Sequence, residues 1–244
     1  VTTTLMVKVG PALGMSVADK ALAASLAGLV MACAILPLGV LGDRIGRKKV
    51  FMMSMVVVVV GQVVCALSPT MGVFLGGRAI TGLGLAGSYA MSMALVGSMF
   101  EPTELSRVFG KMFATVALVA VVALTVATAA IGTNWRMGYL FLPALSVVVF
   151  CLAVASVPES IGNHRKFDIV GSLLAAVGLF AIIVGLGQAA SVGWGSPVVV
   201  LPVILGIGAL VVLVSYESRI ENPSLPMALI RIPRVSASLL VIVL

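Results

Sequence analysis

The chain has 244 residues, 61% apolar and 9% charged, a composition that excludes a water-soluble globular domain. Its 15 Lys and Arg against 8 Asp and Glu give +7, an excess that suits nucleic acid, an acidic partner or the cytoplasmic rim of a membrane protein. Cys33, Cys65 and Cys151 fall inside apolar runs at no metal-ligand spacing, which argues against a disulfide scaffold or zinc module and reads them as small core residues.

A helix needs about 20 apolar residues to cross the hydrocarbon layer. In chain order, residues 1–7 read as the tail of an earlier span. Seven complete runs follow at about 17–41, 50–67, 70–99, 109–132, 137–157, 169–190 and 197–216, and 235–244 opens another. Lipid offers backbone groups no partner, and the alternating pattern of an outer-membrane barrel is absent, so the runs are expected to be helices. That holds even for the β-branched stretch Val56 to Val60. Ser16 with Asp19 forms a capping pair that starts the first complete helix near Val17. The chain begins at Val1 with no cleavable signal pattern and stops at Leu244 inside an apolar run, as expected of a segment of something longer.

The basic residues fix an orientation. Arg44, Arg47, Lys48, Lys49, Arg107, Lys111, Arg165, Lys166, Arg219, Arg231 and Arg234 fall in one set of alternate loops; Lys8, Lys20 and Arg136 fall in the other. The first set is expected to face the cytoplasm. Spread over four loops without aromatic interleaving, these cations give no sign of nucleic-acid binding. Connections are short except at 158–168 and 217–234, which hold Pro158, Pro223, Pro226 and Pro233. These stretches divide the chain into 1–157, a helix pair at 169–216, and the opening of a further bundle at 235–244.

The most informative stretch is Gly39-Val-Leu-Gly42-Asp43-Arg44-Ile-Gly46-Arg47-Lys48-Lys49, between the first two complete spans. Gly46 allows a tight reversal, the cations anchor one membrane face, and Asp43 is an acid held among them. Farther on, Arg78-Ala-Ile-Thr81-Gly82-Leu-Gly84 places an arginine about eight residues into a run, roughly 12 Å below the outer surface at 1.5 Å per residue. A charge at that depth costs at least about 2–3 kcal/mol, so it either faces a watery cavity or a partner, or snorkels outward. Gly82-Leu-Gly84-Leu-Ala-Gly87 also satisfies the dinucleotide-binding pattern, with Glu101 about 20 residues on. That reading fails because the pattern lies in the middle of an apolar run; the glycines are expected to let helices approach closely. Gly171, Gly178 and Gly185, seven residues apart, invite the same reading.

The loop from Gly39 to Lys49 resembles the signature of the major facilitator superfamily, and the Arg78 stretch is similar to its fourth-helix motif, with Thr81 where glutamine is usual. Phe167-Asp168-x-x-Gly171, Gly193-Trp194 and Glu217-Ser-Arg219-Ile-Glu-Asn222-Pro223 resemble the inserted helix pair of the fourteen-helix drug:proton antiporter branch. Trp135-Arg136 also matches the family's turn into helix 6, more loosely. The resemblance spans nearly the whole chain and implies an all-α membrane protein: the end of helix 1 through helix 6 over 1–157, the inserted pair, and the start of helix 9. It implies gating by Gly39, Gly42, Asp43, Arg44, Gly46, Arg47 and Lys48. For Arg78, with Gly82 and Gly84, it implies proton coupling or work in the cavity.

Two departures stand out. The run Val121 to Gly132 lacks the branch's Gly-Pro-x-x-Gly-Gly signature, and near helix 1 only Thr2 and Thr4, with Lys8 after them, stand where an aspartate before a threonine is usual. All eight acids, Asp19, Asp43, Glu101, Glu104, Glu159, Asp168, Glu217 and Glu221, map to loops or helix ends, so no carboxylate lies in a span to carry a proton. His164 is a loop histidine without a metal or nucleophile partner. The 13 Met and 9 Phe could line an adaptable pocket, though packing accounts for most. Trp135, Trp194 and Tyr216 near helix ends fit an interfacial belt.

The resulting expectation is a multi-pass transporter of the cell membrane, basic loops inward, that exports small amphipathic compounds. It would be driven by the proton gradient, with no cofactor, metal or catalytic group. Its partners are a small-molecule substrate, the bilayer and a missing C-terminal half. A membrane sensor or scaffold derived from a transporter, or an uncoupled facilitator, is the alternative.

Overall fold

A computed structural model describes residues 2–131, 134–157 and 169–217, and every element in them is a helix. They are α1 (Thr2–Ala12), α2 (Val17–Ile45), α3 (Arg47–Leu67), α4 (Met71–Met99), α5 (Pro102–Ile131), α6 (Trp135–Ser156), α7 (Ile169–Val192) and α8 (Pro197–Glu217). Seven of these, α2 to α8, are long and apolar enough to cross a membrane. The expected loops at 158–168 and 217–234, with the opening of a later bundle at 235–244, lie outside the described residues except for Glu217. His164 lies there too.

Several boundaries differ from expectation, for local reasons. The first helix runs past residue 7 to Ala12, so Lys8 is helical. The signature acid and its neighbour are helical as well, since α2 continues to Ile45. The fifth helix starts at Pro102 rather than near 109. Proline suits the first helical position, and Glu104 and Leu105 donate backbone N–H to the Glu101 carbonyl at 2.9 and 3.1 Å. At Ser16 the expected capping box is present: its hydroxyl accepts from the Asp19 N–H at 3.2 Å, and its own N–H donates to Asp19 Oδ2 at 3.0 Å. Ser16→Ala is expected to cost about 1 kcal/mol, seen as a Tm lowered by a few degrees in detergent.

Helices α1 to α6 belong to one unit and α7 with α8 to a second. Within the first, α3 and α4 form an antiparallel pair whose backbones nearly touch. A methyl group on Gly61 would lie 2.5 Å from the Thr81 nitrogen, and one on Gly84 2.6 Å from the Val58 nitrogen. Such approach is available only where no Cβ intervenes. Gly82 does the same toward α2, 2.5 Å from the Ala27 carbonyl oxygen. Two apolar clusters fill the bundle. One gathers Leu5, Val9, Cys65, Ala66, Phe74, Trp135 and Tyr139; the other gathers Val50, Phe51, Met91, Leu95 and Ala153.

Trp135 is therefore a core residue, not part of an interfacial belt. Its ring stands edge-on to Phe74 at 6.5 Å and to Tyr139 at 6.2 Å, an arrangement worth more than area burial alone. Trp194, by contrast, is 72% exposed. Cys33 and Cys65 are buried as expected, but Cys151 is exposed.

In the second unit, Gly178 of α7 and Gly206 of α8 each face the other's backbone, and Gly185 meets the Val199 carbonyl. Gly178 and Gly185 thus make the close contact expected of them. Gly76 lies on an open face of α4, where an added methyl group would meet nothing within 4 Å. Gly76→Ala should raise helix stability by up to about 1 kcal/mol, readable as a higher Tm.

Candidate functional site

A single residue separates α2 from α3. Gly46 has φ 110, a backbone value L side chains rarely adopt, and its N–H donates to the Gly42 carbonyl at 3.0 Å while its own carbonyl accepts from Val50 at 3.1 Å. The last turn of one helix and the first of the next are thereby fused at a corner. Across it, Arg47 Nε donates to Asp43 Oδ1 at 2.9 Å. Both side chains are partly in solvent, so the pair alone contributes under about 1 kcal/mol.

The remaining contacts reach other helices. Arg47 Nη1 donates to the Ala94 carbonyl of α4 at 2.9 Å, and Lys48 Nζ donates to the Val154 carbonyl of α6 at 3.2 Å. Val154 lies in the last turn of α6, where carbonyls lack helical partners and a cation complements the dipole. Gly42 packs directly on the thioether of Met91, so any side chain there would displace it. One corner thus ties α2, α3, α4 and α6 together. Arg44 is exposed but engaged, and Gly39 has nothing within 4 Å of its missing side chain.

Arg78 lies at the opposite end of the bundle. It follows the start of α4 by seven residues, about 10 Å along the axis. Its side chain is turned sideways rather than snorkelling: it is 5% exposed, with Nε donating to the Ala23 carbonyl at 3.0 Å and Nη2 to the Ala24 carbonyl at 3.2 Å. Among the described residues no carboxylate pairs with it. Thr81, one turn on, donates its hydroxyl to the Gly77 carbonyl at 2.8 Å and faces α3. Gly82 and Gly84 serve as contact points for α2 and α3. The candidate residues therefore fall in two groups, one at the Gly46 corner and one from Arg78 to Gly84 in the first half of α4, and the structure does not bring them together.

Neighbours without a distinctive sequence signal complete both groups. Met91, Ala94 and Val154 belong to no motif, because their roles depend on a carbonyl or thioether presented by a distant helix. Gln62 did leave a signal as a lone amide in a valine-rich run. It is 2% exposed and its Oε1 accepts no hydrogen bond, at a cost of roughly 1–3 kcal/mol. Among the described residues no group of three or more His, Cys, Asp or Glu could hold a metal ion.

The sequence pattern of the Major Facilitator Superfamily matches residues 1–215. The chain is 27% identical over 194 residues to the uncharacterized MFS-type transporter EfpA of Mycobacterium tuberculosis, covering 79% of this chain and 37% of that protein. With the probable actinorhodin transporter of Streptomyces coelicolor it shares 31% identity over 226 residues, 88% of this chain and 39% of the relative. The puromycin resistance protein pur8 of Streptomyces alboniger is 28% identical over 192 residues, 77% and 38% of the two chains. The chain thus spans less than two-fifths of the length of these relatives. With its seven membrane-length helices and this match over most of its length, the chain is a multi-pass membrane protein and belongs to the Major Facilitator Superfamily.

Proposed function

We propose that the protein is a secondary transporter of the drug:proton antiporter type, exporting small amphipathic compounds by alternating access driven by the proton gradient. In this reading residues 1–157 form the N-terminal bundle, 158–168 a cytoplasmic loop, 169–216 the inserted pair, 217–234 a second loop, and 235–244 the start of the C-terminal bundle. The substrate passes between the two bundles near the midplane. The observation that carries the reading is the corner at Gly46. A turn that contacts four helices through Asp43, Arg47, Lys48 and Gly42 ties the basic end of the bundle together and supports its moving as one body. Rocking of rigid bundles is what alternating access requires. The relatives named for actinorhodin and puromycin support a substrate class of amphipathic compounds. The excess of basic residues in its set of loops supports a cytoplasmic position for the corner.

The test is flux of ethidium, a lipophilic cation, in proteoliposomes of the full-length protein. An imposed pH gradient is expected to drive ethidium movement at least tenfold above empty vesicles, and a protonophore to abolish it. Flux at the level of empty vesicles overturns the proposal. A transporter-derived sensor is the second reading, favoured by α5, which runs from Pro102 to Ile131 as one helix without a proline after its first residue. It predicts ligand-dependent thermal stabilisation of the full-length protein with no accompanying flux.

A further inference from the structure

Gln62 lies five residues before the end of α3, buried, with an amide oxygen that accepts nothing. Its place in the bundle relates it to Arg78. Gly61 meets the Thr81 backbone and the Gly77 carbonyl, and Gly77 meets Cys65, so residues 61–65 of α3 stand level with 77–81 of α4. Gln62 and Arg78 each follow a glycine of that contact by one residue, about 100° of helix rotation. In antiparallel helices those rotations turn to the same side. Both side chains therefore leave the α3–α4 contact toward the interior shared with α2 and α6. Arg78 reaches the α2 carbonyls there, and Ala66, one turn beyond Gln62, packs in the cluster that holds Trp135 and Tyr139 of α6.

Arg78 carries five N–H donors and spends two of them on Ala23 and Ala24. Both acceptors are helix carbonyls, already engaged along α2. A shift of α2 by part of a turn would leave the guanidinium buried without a partner, a far higher cost than an unpaired amide. At this level Thr81 donates to Gly77 and Cys65 donates to Phe74. Gln62 Oε1 is a buried acceptor at this level that takes no hydrogen bond.

We propose that Gln62 is a positioning residue for Arg78: its amide oxygen is a second seat for the guanidinium, taken when α2 shifts. The cation then passes between the α2 carbonyls and Gln62 without leaving the bundle interior. The part this exchange plays in a transport cycle rests on the reading of the protein as a transporter; the exchange itself does not.

The experiment is hydrogen–deuterium exchange of the full-length protein in lipid nanodiscs, read over residues 20–30 of α2. Arg78→Met, which frees α2, sets the fast limit. Gln62→Glu is expected to capture the guanidinium and raise the α2 exchange rate at least fivefold, to the Arg78→Met value. Gln62→Leu, which removes the second seat, should lower it at least twofold. A Gln62→Glu protein exchanging at the wild-type rate, or a Gln62→Leu protein at or above it, overturns the proposal; should Gln62→Glu fail to fold, the Gln62→Leu rate decides. Ethidium flux separates the two levels. Altered exchange with a wild type that moves no ethidium leaves the second seat standing and removes the transporter reading. Normal exchange in both variants alongside pH-driven wild-type flux removes the second seat alone.

Discussion

Gly61→Leu is expected to leave no folded bundle. Even a methyl group at this position would meet the Thr81 nitrogen at 2.5 Å, the Thr81 hydroxyl at 2.6 Å and the Gly77 carbonyl at 2.9 Å. Two of these three atoms are backbone and cannot rotate away. Relief requires α3 and α4 to separate along a contact that also includes Gly77 on Cys65 and Gly84 on Val58. Overpacking a tight core typically costs about 1–3 kcal/mol for added methylenes, and a rigid backbone neighbour pushes the value upward. Gly61→Ala should therefore lower Tm by many degrees, and Gly61→Leu should abolish the monodisperse peak in detergent size-exclusion chromatography. A Gly61→Leu protein that purifies with an unchanged Tm would show that α3 and α4 are not held at this distance. Gly76→Ala in α4 is the internal control, with the opposite sign.

The second large effect is expected at Arg78. Arg78→Met removes a buried cation together with both of its bonds to α2, so the apolar replacement should fold, with a Tm near or above that of the wild type. Proton-driven ethidium flux should fall at least tenfold. Arg78→Lys keeps the charge but offers a point donor in place of a planar fork, and cannot span two successive carbonyls equally well. Its flux should be intermediate. Arg78→Met with full flux and an unchanged pH dependence would remove Arg78 from the mechanism while leaving the superfamily assignment untouched. At the other end of the bundle, Arg47→Met breaks the bonds to Asp43 and to Ala94. It is expected to slow flux severalfold with a Tm change of only a few degrees, because those groups are partly solvated.

The class of the protein was legible because membrane solvation leaves little choice. A run of apolar residues long enough to cross the bilayer must satisfy its own backbone, and α2 to α8 are where the runs lie. Local chemistry was legible as well: Ser16 and Asp19 cap α2, and Gly46 turns the chain because its φ of 110 suits glycine. Periodic glycines announced close packing, and Gly178 and Gly185 make it.

What the linear pattern left undecided is which surface each residue meets. Composition could not distinguish Trp135, wedged between Phe74 and Tyr139, from a tryptophan at the lipid interface such as the exposed Trp194 would be. It could not say that Arg78 turns sideways onto two carbonyls, that Arg47 and Lys48 end on two different helices, or that Gln62 is left with an unmet oxygen. The hydrophobic drive that sets the spans depends on a residue's own transfer into lipid and is therefore local. Hydrogen bonds to backbone carbonyls and glycine contacts depend on how two helices are placed in register, and only the folded bundle fixes that.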